Sequence, residues 1–250
     1  MIELEAIMKE IHSGLPREGP GDNASTRRAF SLLAGLPSNP KILDIGCGPG
    51  IQTIQLAKLT DGTIIALDYE RKYLDELDTR AGEEGVGEKI KTIEGSMFEL
   101  PFEPDSFDVI WSEGAIFIIG FEKGLTEWKP LLKNKGVMAV THLSWLKPDI
   151  PNEPKEFWHA AYPAITTVDE NVKIVAECGY ENLAHFVLPE SAWWDDYYTP
   201  MEKRLASLRE KYADDAFALA RIAESQQEID MYRRYSGSYG YVFYVMRKAD

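Results

Sequence analysis

Residues 43–50 read Leu-Asp-Ile-Gly-Cys-Gly-Pro-Gly, an apolar run that breaks into three glycines at 46, 48 and 50. Such a loop lets the backbone turn sharply and approach a ligand closely. Asp68 follows Gly46 by 22 residues, at the end of a second apolar run. A carboxylate there can accept both hydroxyls of a ribose, so loop and acid together point to an adenosine-containing cofactor. A dinucleotide loop wants glycine where Ile51 stands, and Asp44 places negative charge where a pyrophosphate would be repelled. An ammonium group would welcome Asp44, directly or through water. The loop therefore favours S-adenosylmethionine over NAD.

Further along, Glu113 and His142 lie where strands four and five should end, the rim at which an open sheet places its ligands. Either can serve as a general base for an acceptor that arrives protonated. Each also has a plainer reading, His142 as a strand-end histidine bonded to backbone and Glu113 as a cofactor-side or structural carboxylate. Trp145 and Tyr162 join His142 as candidate substrate contacts. Trp193-Trp194-Asp195-Asp196-Tyr197-Tyr198 sets aromatics beside carboxylates. That pattern suits a cage for a cation, with Trp193 and Tyr197 facing it, and equally suits an aromatic junction between strand and helix. Two cysteines and no ligand spacing argue against a metal site.

The elements around these residues alternate in type. Strands are expected at Lys41–Ile45, Thr63–Leu67, Ile90–Ile93, Phe107–Trp111 and Gly136–Leu143. Helices are expected at Ile51–Leu59, from Tyr69 to about Glu84, and from Phe121 to Pro130. Before them lie a helix over Met1–Ser13, a turn-rich stretch from Gly14 to Asn23, and a second helix over Thr26–Leu36 capped by Ser25. After them come a proline loop (Lys147–Pro154), a capping box at Thr167–Glu170 opening a helix to Cys178, and a strand at Tyr180–Leu188. A long helical stretch, Met201–Arg234 with a break near Ala213–Asp215, precedes a last strand at Tyr239–Met246. The expectation is one α/β domain: a Rossmann-like, doubly wound, mostly parallel seven-stranded sheet with an antiparallel last strand. Residues 1–38 form an N-terminal helical lid, 39–146 the cofactor-binding core, 147–235 the substrate cap and 236–250 the final strand.

The 250 residues carry a formal charge of −14, a field that disfavours nucleic acid or an anionic membrane as partner. The pairs Arg27-Arg28 and Arg233-Arg234 read as ordinary surface charge. No apolar run reaches the length of a membrane span, and the first residues lack the basic flank of a signal peptide. A cytoplasmic location and a small-molecule partner are expected, with a monomer and a homodimer both open.

The string ILDIGCGPG with Asp68 beyond it resembles the first motif and acidic post-motif of the class I S-adenosylmethionine-dependent methyltransferases. Glu94-Gly95-Ser96-Met97, Ser106 to Gly114 and Leu131 to Gly136 resemble three further motifs of that family, in register. The likeness is strongest to its small-molecule, quinone-biosynthesis-like branch, and Arg17-Glu18-Gly19-Pro20-Gly21 resembles the front segment of some microbial members. The resemblance implies that Asp44, Gly46, Cys47, Gly48, Gly50 and Gln52 surround the methionine and ribose, and that Asp68 holds the ribose. Tyr69, Ser96 and Met97 would meet the adenine. Ser112, Glu113 and Gly114 would close the site near the sulfonium, with Pro20 and Gly21 folding over the cofactor. It implies in-line methyl transfer driven by proximity and exclusion of water. Two other readings stand beside it: an NAD(P)-dependent Rossmann oxidoreductase, and a non-catalytic scaffold that binds the cofactor. No Asn-Pro-Pro-Tyr, the mark of relatives acting on base amino groups, follows strand four.

Overall fold

The computed structural model describes residues 3–12 and 14–249. The chain opens with α1 (Leu4–His12) and α2 (Asn23–Ser31), followed by β1 (Lys41–Ile45), α3 (Ile51–Leu59), β2 (Thr63–Asp68) and α4 (Arg71–Glu83). Then come β3 (Ile90–Glu94), β4 (Phe107–Ser112), α5 (Phe121–Trp128) and β5 (Leu132–Trp145). The second half holds α6 (Asn152–Ala161), β6 (Thr166–Thr167), α7 (Val168–Glu177), β7 (Tyr180–Val187), α8 (Ser191–Trp193), α9 (Thr199–Lys211), α10 (Ala216–Tyr235) and β8 (Tyr239–Lys248). The part of the first-helix expectation that falls on residues 1, 2 and 13 lies outside the described residues.

Ile42, Leu43 and Ile45 are fully buried, and β1 accordingly sits inside the sheet, between β2 and β4. Strand order is β3-β2-β1-β4-β5-β8-β7; the two-residue β6 pairs with β5 as an eighth strand beside the seven expected. β1 to β5 are mutually parallel where they pair, and β8 runs antiparallel between β5 and β7. The strand order reverses between β1 and β4. In an open α/β sheet the crevice at that reversal, outside the carboxyl ends, is where ligands bind.

Several boundaries differ from the sequence reading for identifiable reasons. Asp22, not Ser25, caps α2: its carboxylate accepts the Ala24 and Ser25 amides, both at 2.8 Å, so the helix starts earlier. β5 begins at Leu132 because the expected turn at Asn134–Gly136 is a bulge within one strand, with Lys135 at φ 60° and a register shift against β4. Pro154 is not in a loop; it occupies the first turn of α6, where its missing N–H breaks no helical bond. The capping box at Thr167 forms by half. Thr167 Oγ1 accepts the Glu170 amide at 3.2 Å, while the Glu170 carboxylate turns to Lys173. Asp215 breaks the long helical stretch by accepting the Phe217 and Ala218 amides and starting α10.

Between α8 and α9, Trp194–Tyr198 forms one π-helical turn. Trp193, Tyr198, Leu205, Ile222 and Tyr232 pack with Ile7 and Ile11 of α1 in one apolar cluster. Helix α1 thus belongs to the cap, held also by the Arg204 guanidinium donating to the Glu10 carbonyl and by Lys211 pairing with the Glu10 carboxylate. No helix among the described residues is long and apolar enough to cross a membrane.

Candidate cofactor and acceptor site

A cavity of about 880 Å³ opens at the carboxyl ends of β1, β2 and β4, and runs from the glycine loop to the cap. At its floor Gly46 has φ 70°, and its N–H donates to the Leu67 carbonyl at 2.8 Å. A Cβ on Gly46 would stand 2.5 Å from Ala115 Cβ, so only glycine fits. Gly48, at φ 53°, donates its N–H to Asp68 Oδ2 at 2.8 Å. Glu70 N–H donates to Asp68 Oδ1 at 3.0 Å. Two amides thus fix the carboxylate beside the loop, with lone pairs left over on both oxygens. Burial raises the Asp68 pKa, against the pull of those amides. Gly50 acts on packing instead, since it opens α3 and a Cβ there would collide with Leu77 of α4.

Asp44 lies behind the loop and does not line the cavity. It is fully buried; Thr53 Oγ1 donates to its Oδ2 at 2.6 Å, and its Oδ1 has no hydrogen-bond partner among the described residues. Burial pushes its pKa up to about 7, with the Glu113 and Asp68 charges adding to the rise and the Thr53 bond opposing it. Gln52 stands beside it, donating from Nε2 to the Cys47 carbonyl at 2.7 Å. Cys47 and Gln52 both line the cavity.

Tyr69, Ser96 and Met97 line the outer wall, with Tyr69 75% exposed at the mouth. Ser96 Oγ accepts the Phe98 amide at 3.2 Å, and the Met97 carbonyl accepts Trp128 Nε1 at 3.1 Å. Gly114 lines the opposite side with its N–H on Thr141 Oγ1 at 2.7 Å. Ser112 is buried away from the cavity and donates to the Ile45 carbonyl at 2.9 Å, tying β4 to β1.

Glu113 lines the cavity but most of its bonds are internal. Its Oε1 accepts Thr26 Oγ1 at 2.7 Å and Trp111 Nε1 at 2.9 Å; its Oε2 lies 3.7 Å from Arg17. Burial raises its pKa, while Arg17, Thr26 and Trp111 lower it. Pro20 lines the cavity. Gly21 does not; its N–H donates to the Ala192 carbonyl at 2.9 Å, fastening the front segment to the cap.

On the cap side Tyr162, Trp193 and Tyr197 line the cavity. Trp145 does not, being packed edge-on to Tyr239 in the cap core. The candidate base His142 is also elsewhere. Successive strand residues face opposite ways, and Leu143 takes the cavity side. His142 stacks on Phe121 at 4.4 Å on the other face, where burial depresses its pKa to about 3. The expected cation cage divides as well. Trp194 has the Arg233 guanidinium over its ring at 5.0 Å, Asp196 faces Arg17 at 3.7 Å, and Asp195 is exposed.

The sequence reading missed Arg17, Glu18, Tyr73, Glu228 and Tyr241, all of which line the cavity. Arg17 sits in a segment noted for its glycines and proline, with nothing local to mark its burial. Glu228 lies on a helix whose charged neighbours hide it.

A glycine loop after β1, an acid after β2 and a β8 inserted antiparallel between β5 and β7 define a nucleoside-binding sheet of the methyltransferase type. Residues 42–136 match the family model described as a methyltransferase domain. Over that span, which holds the glycine loop and Asp68, the chain is similar to a methyltransferase domain. It is 28% identical to a sterol 24-C-methyltransferase of Gibberella zeae over 132 residues, 52% of this chain and 34% of that one. It is 31% identical to a sarcosine/dimethylglycine N-methyltransferase of Aphanothece halophytica over 140 residues, 53% of this chain and 50% of that one. The matches thus span about a third to a half of the length of these curated relatives. A methyltransferase from Geobacter sulfurreducens, solved with S-adenosyl-L-homocysteine, superposes with a TM-score of 0.81, covering 98% of this chain and 99% of that one at 18% identity. That likeness is one of fold.

Proposed function

We propose that the chain binds S-adenosylmethionine in the 880 Å³ cavity and catalyses methyl transfer to a small-molecule acceptor seated under the cap. The observation that carries this reading is the Asp68 carboxylate, pinned by the Gly48 and Glu70 amides beside the glycine loop. The buried Asp44 carboxylate behind the loop supports it, because negative charge there favours a cationic ligand group over a pyrophosphate.

When bound, the cofactor supplies an electrophilic methyl group on a sulfonium. Asp68 holds the ribose hydroxyls. Gly46, Cys47 and Gly48 present backbone to the methionine portion, Gln52 and Asp44 set its electrostatics, and Gly50 keeps α3 in place. Ser96, Met97 and Tyr69 flank the adenine. Gly114 and Glu113, with Ser112 behind them, shape the wall near the reacting centre, and Pro20 and Gly21 cover it. Tyr162, Trp193 and Tyr197 surround the acceptor and exclude water, so alignment and desolvation supply most of the rate.

Residues 1–38 act as lid, 39–146 as cofactor core, 147–235 as cap and 236–250 as the closing strand. The chain works as a cytoplasmic monomer or homodimer with no nucleic-acid or membrane partner, as its charge of −14 favours. A dinucleotide reading finds no support in the loop, where Ile51 opens α3 in place of a packing glycine.

Calorimetric titration with S-adenosylmethionine, S-adenosylhomocysteine and NAD tests the reading. Micromolar binding of the first two, abolished by Asp68→Ala, is expected. Binding of NAD alone, or of none, overturns it. Cofactor binding with no turnover across an acceptor panel would favour the scaffold.

A further inference from the structure

The cap end of the cavity has a chemistry that the cofactor does not use up. Helix α10 places Glu228 on its wall, in a cavity also lined by Trp193, Tyr197 and Tyr241. Glu228 Oε1 accepts the Tyr198 hydroxyl at 2.8 Å, and among the described residues Oε2 accepts no hydrogen bond. Burial raises the Glu228 pKa against the opposing effects of Tyr198 and His12. The side chain is half-buried and its free oxygen stays open to the cavity, where a donor can reach it.

One face of Trp193 stacks on Tyr232 and one face of Tyr197 on Tyr198, but no cation of the described residues occupies the rings. Among the described residues no Lys or Arg covers the faces of Trp193, Tyr197 or Tyr241, whereas the adjacent Trp194 is covered by Arg233 on the outside. Trp193 and Tyr241 meet edge to face, their centroids 5.2 Å apart, so two ring planes lie at a steep angle beside one space. Aromatic faces set in this manner attract ammonium groups, and more strongly out of water.

The charge balance of the cavity agrees. Glu18, Asp68, Glu70, Glu113 and Glu228 line it, against Arg17 as the single lining Lys or Arg among the described residues. Arg17 is already placed between Glu113 and Asp196. His12, near Tyr197, has its Nδ1 3.3 Å from Glu18 and acts on Glu228 only at longer range; among the described residues Glu228 forms no ion pair. A walled cavity of this sign concentrates cations.

We infer that the acceptor is a compound bearing a cationic nitrogen, and that Glu228, with the rings of Trp193, Tyr197 and Tyr241, determines this specificity; the inference rests on the methyltransferase reading above. Glu228 here takes the part that the sequence pattern offered to Asp195 and Asp196.

The test is calorimetric titration of the chain saturated with S-adenosylhomocysteine, using 2-phenylethylammonium and its uncharged counterpart 2-phenylethanol. The amine is expected to bind at least about tenfold more tightly, a difference of about 1.4 kcal/mol. Glu228→Gln, whose carboxamide oxygen still accepts the Tyr198 hydroxyl, is expected to erase that preference. It should leave affinity for the alcohol and for S-adenosylhomocysteine unchanged, and the latter confirms that the variant is folded. Equal affinities in the native chain, no binding of either probe, or a preference that survives in Glu228→Gln overturns the inference. A matching loss of S-adenosylhomocysteine affinity would assign Glu228 to the cofactor and also overturn it. Repeating the titration on the chain alone separates the two readings. A charge preference without S-adenosylhomocysteine binding sinks the cofactor reading only.

Discussion

Arg17 Nη1 and Glu113 Oε2 face each other at 3.7 Å, with both side chains almost wholly buried. The pair joins the segment ahead of α2 to the end of β4, and Glu113 Oε1 adds Thr26 of α2 to the same junction. Glu113 therefore positions the front segment over the cavity, one of the roles its sequence context left open. Removing one partner of such a pair leaves the other charged and desolvated, which costs more than the pair itself contributes.

Arg17→Ala is expected to destabilise the chain by about 3 kcal/mol and to loosen the segment that crosses the cavity. Hydrogen exchange followed by mass spectrometry should show faster exchange at residues 17–26, and the Kd for S-adenosylhomocysteine should rise about tenfold. Unchanged protection in that segment would mean that the Gly21–Ala192 bond and the Asp22 cap hold it without Arg17.

Asp44 gives a pH signature. Its folded pKa, about 7, lies above the ordinary carboxylate value of 3.8, so the folded state holds the proton more tightly. The associated stability is complete below 3.8 and is lost as pH rises towards 7, at about 1.4 kcal/mol for each pH unit crossed between the two values. Asp44→Asn has no charge to bury. Its stability relative to the native chain is expected to grow between pH 5 and pH 8, while its affinity for S-adenosylmethionine falls. Thermal unfolding across that range decides the matter, and a flat difference would refute the assignment.

Two glycines separate strain from collision. Gly35 and Gly46 both have positive φ, but a Cβ on Gly35 meets nothing within 4 Å, whereas one on Gly46 meets Ala115 at 2.5 Å. Gly35→Ala should cost about 1 kcal/mol from backbone conformation alone. Gly46→Ala should cost distinctly more, read as the lower urea midpoint of the two.

His142 is expected to be dispensable for binding and turnover. Its folded pKa of about 3 lies below the ordinary 6.5, so its contribution to stability is present above 6.5 and is lost as pH falls towards 3. His142→Gln should keep native affinity for S-adenosylhomocysteine and should lose less stability on acidification. A large drop in turnover at constant affinity would restore its candidacy.

The glycine loop and Asp68 are legible in the sequence because their chemistry is local, a strand, a turn and an acid at fixed spacing. Asp22 and Ser25 are both good caps, and only backbone geometry chooses between them. The facing of His142 lies beyond a sequence reading, because β5 contains a bulge at Lys135 and one shifted residue reverses every later side chain. Arg17 and Glu228 meet the cavity from opposite ends of the chain. Their neighbours are decided by how the cap folds back on the sheet, which no short window of sequence contains.

The pairing of β8 with β5 joins positions such as Val137 and Arg247, about a hundred residues apart, and helices α6 to α10 lie within that span. Closing so long a loop is slow, since its entropy is lost before any contact repays it. The cofactor loop and its acid need only the strands that precede β5. In the order of folding, then, the proposed nucleoside site can form before the proposed acceptor site, which is completed by the last strand to dock.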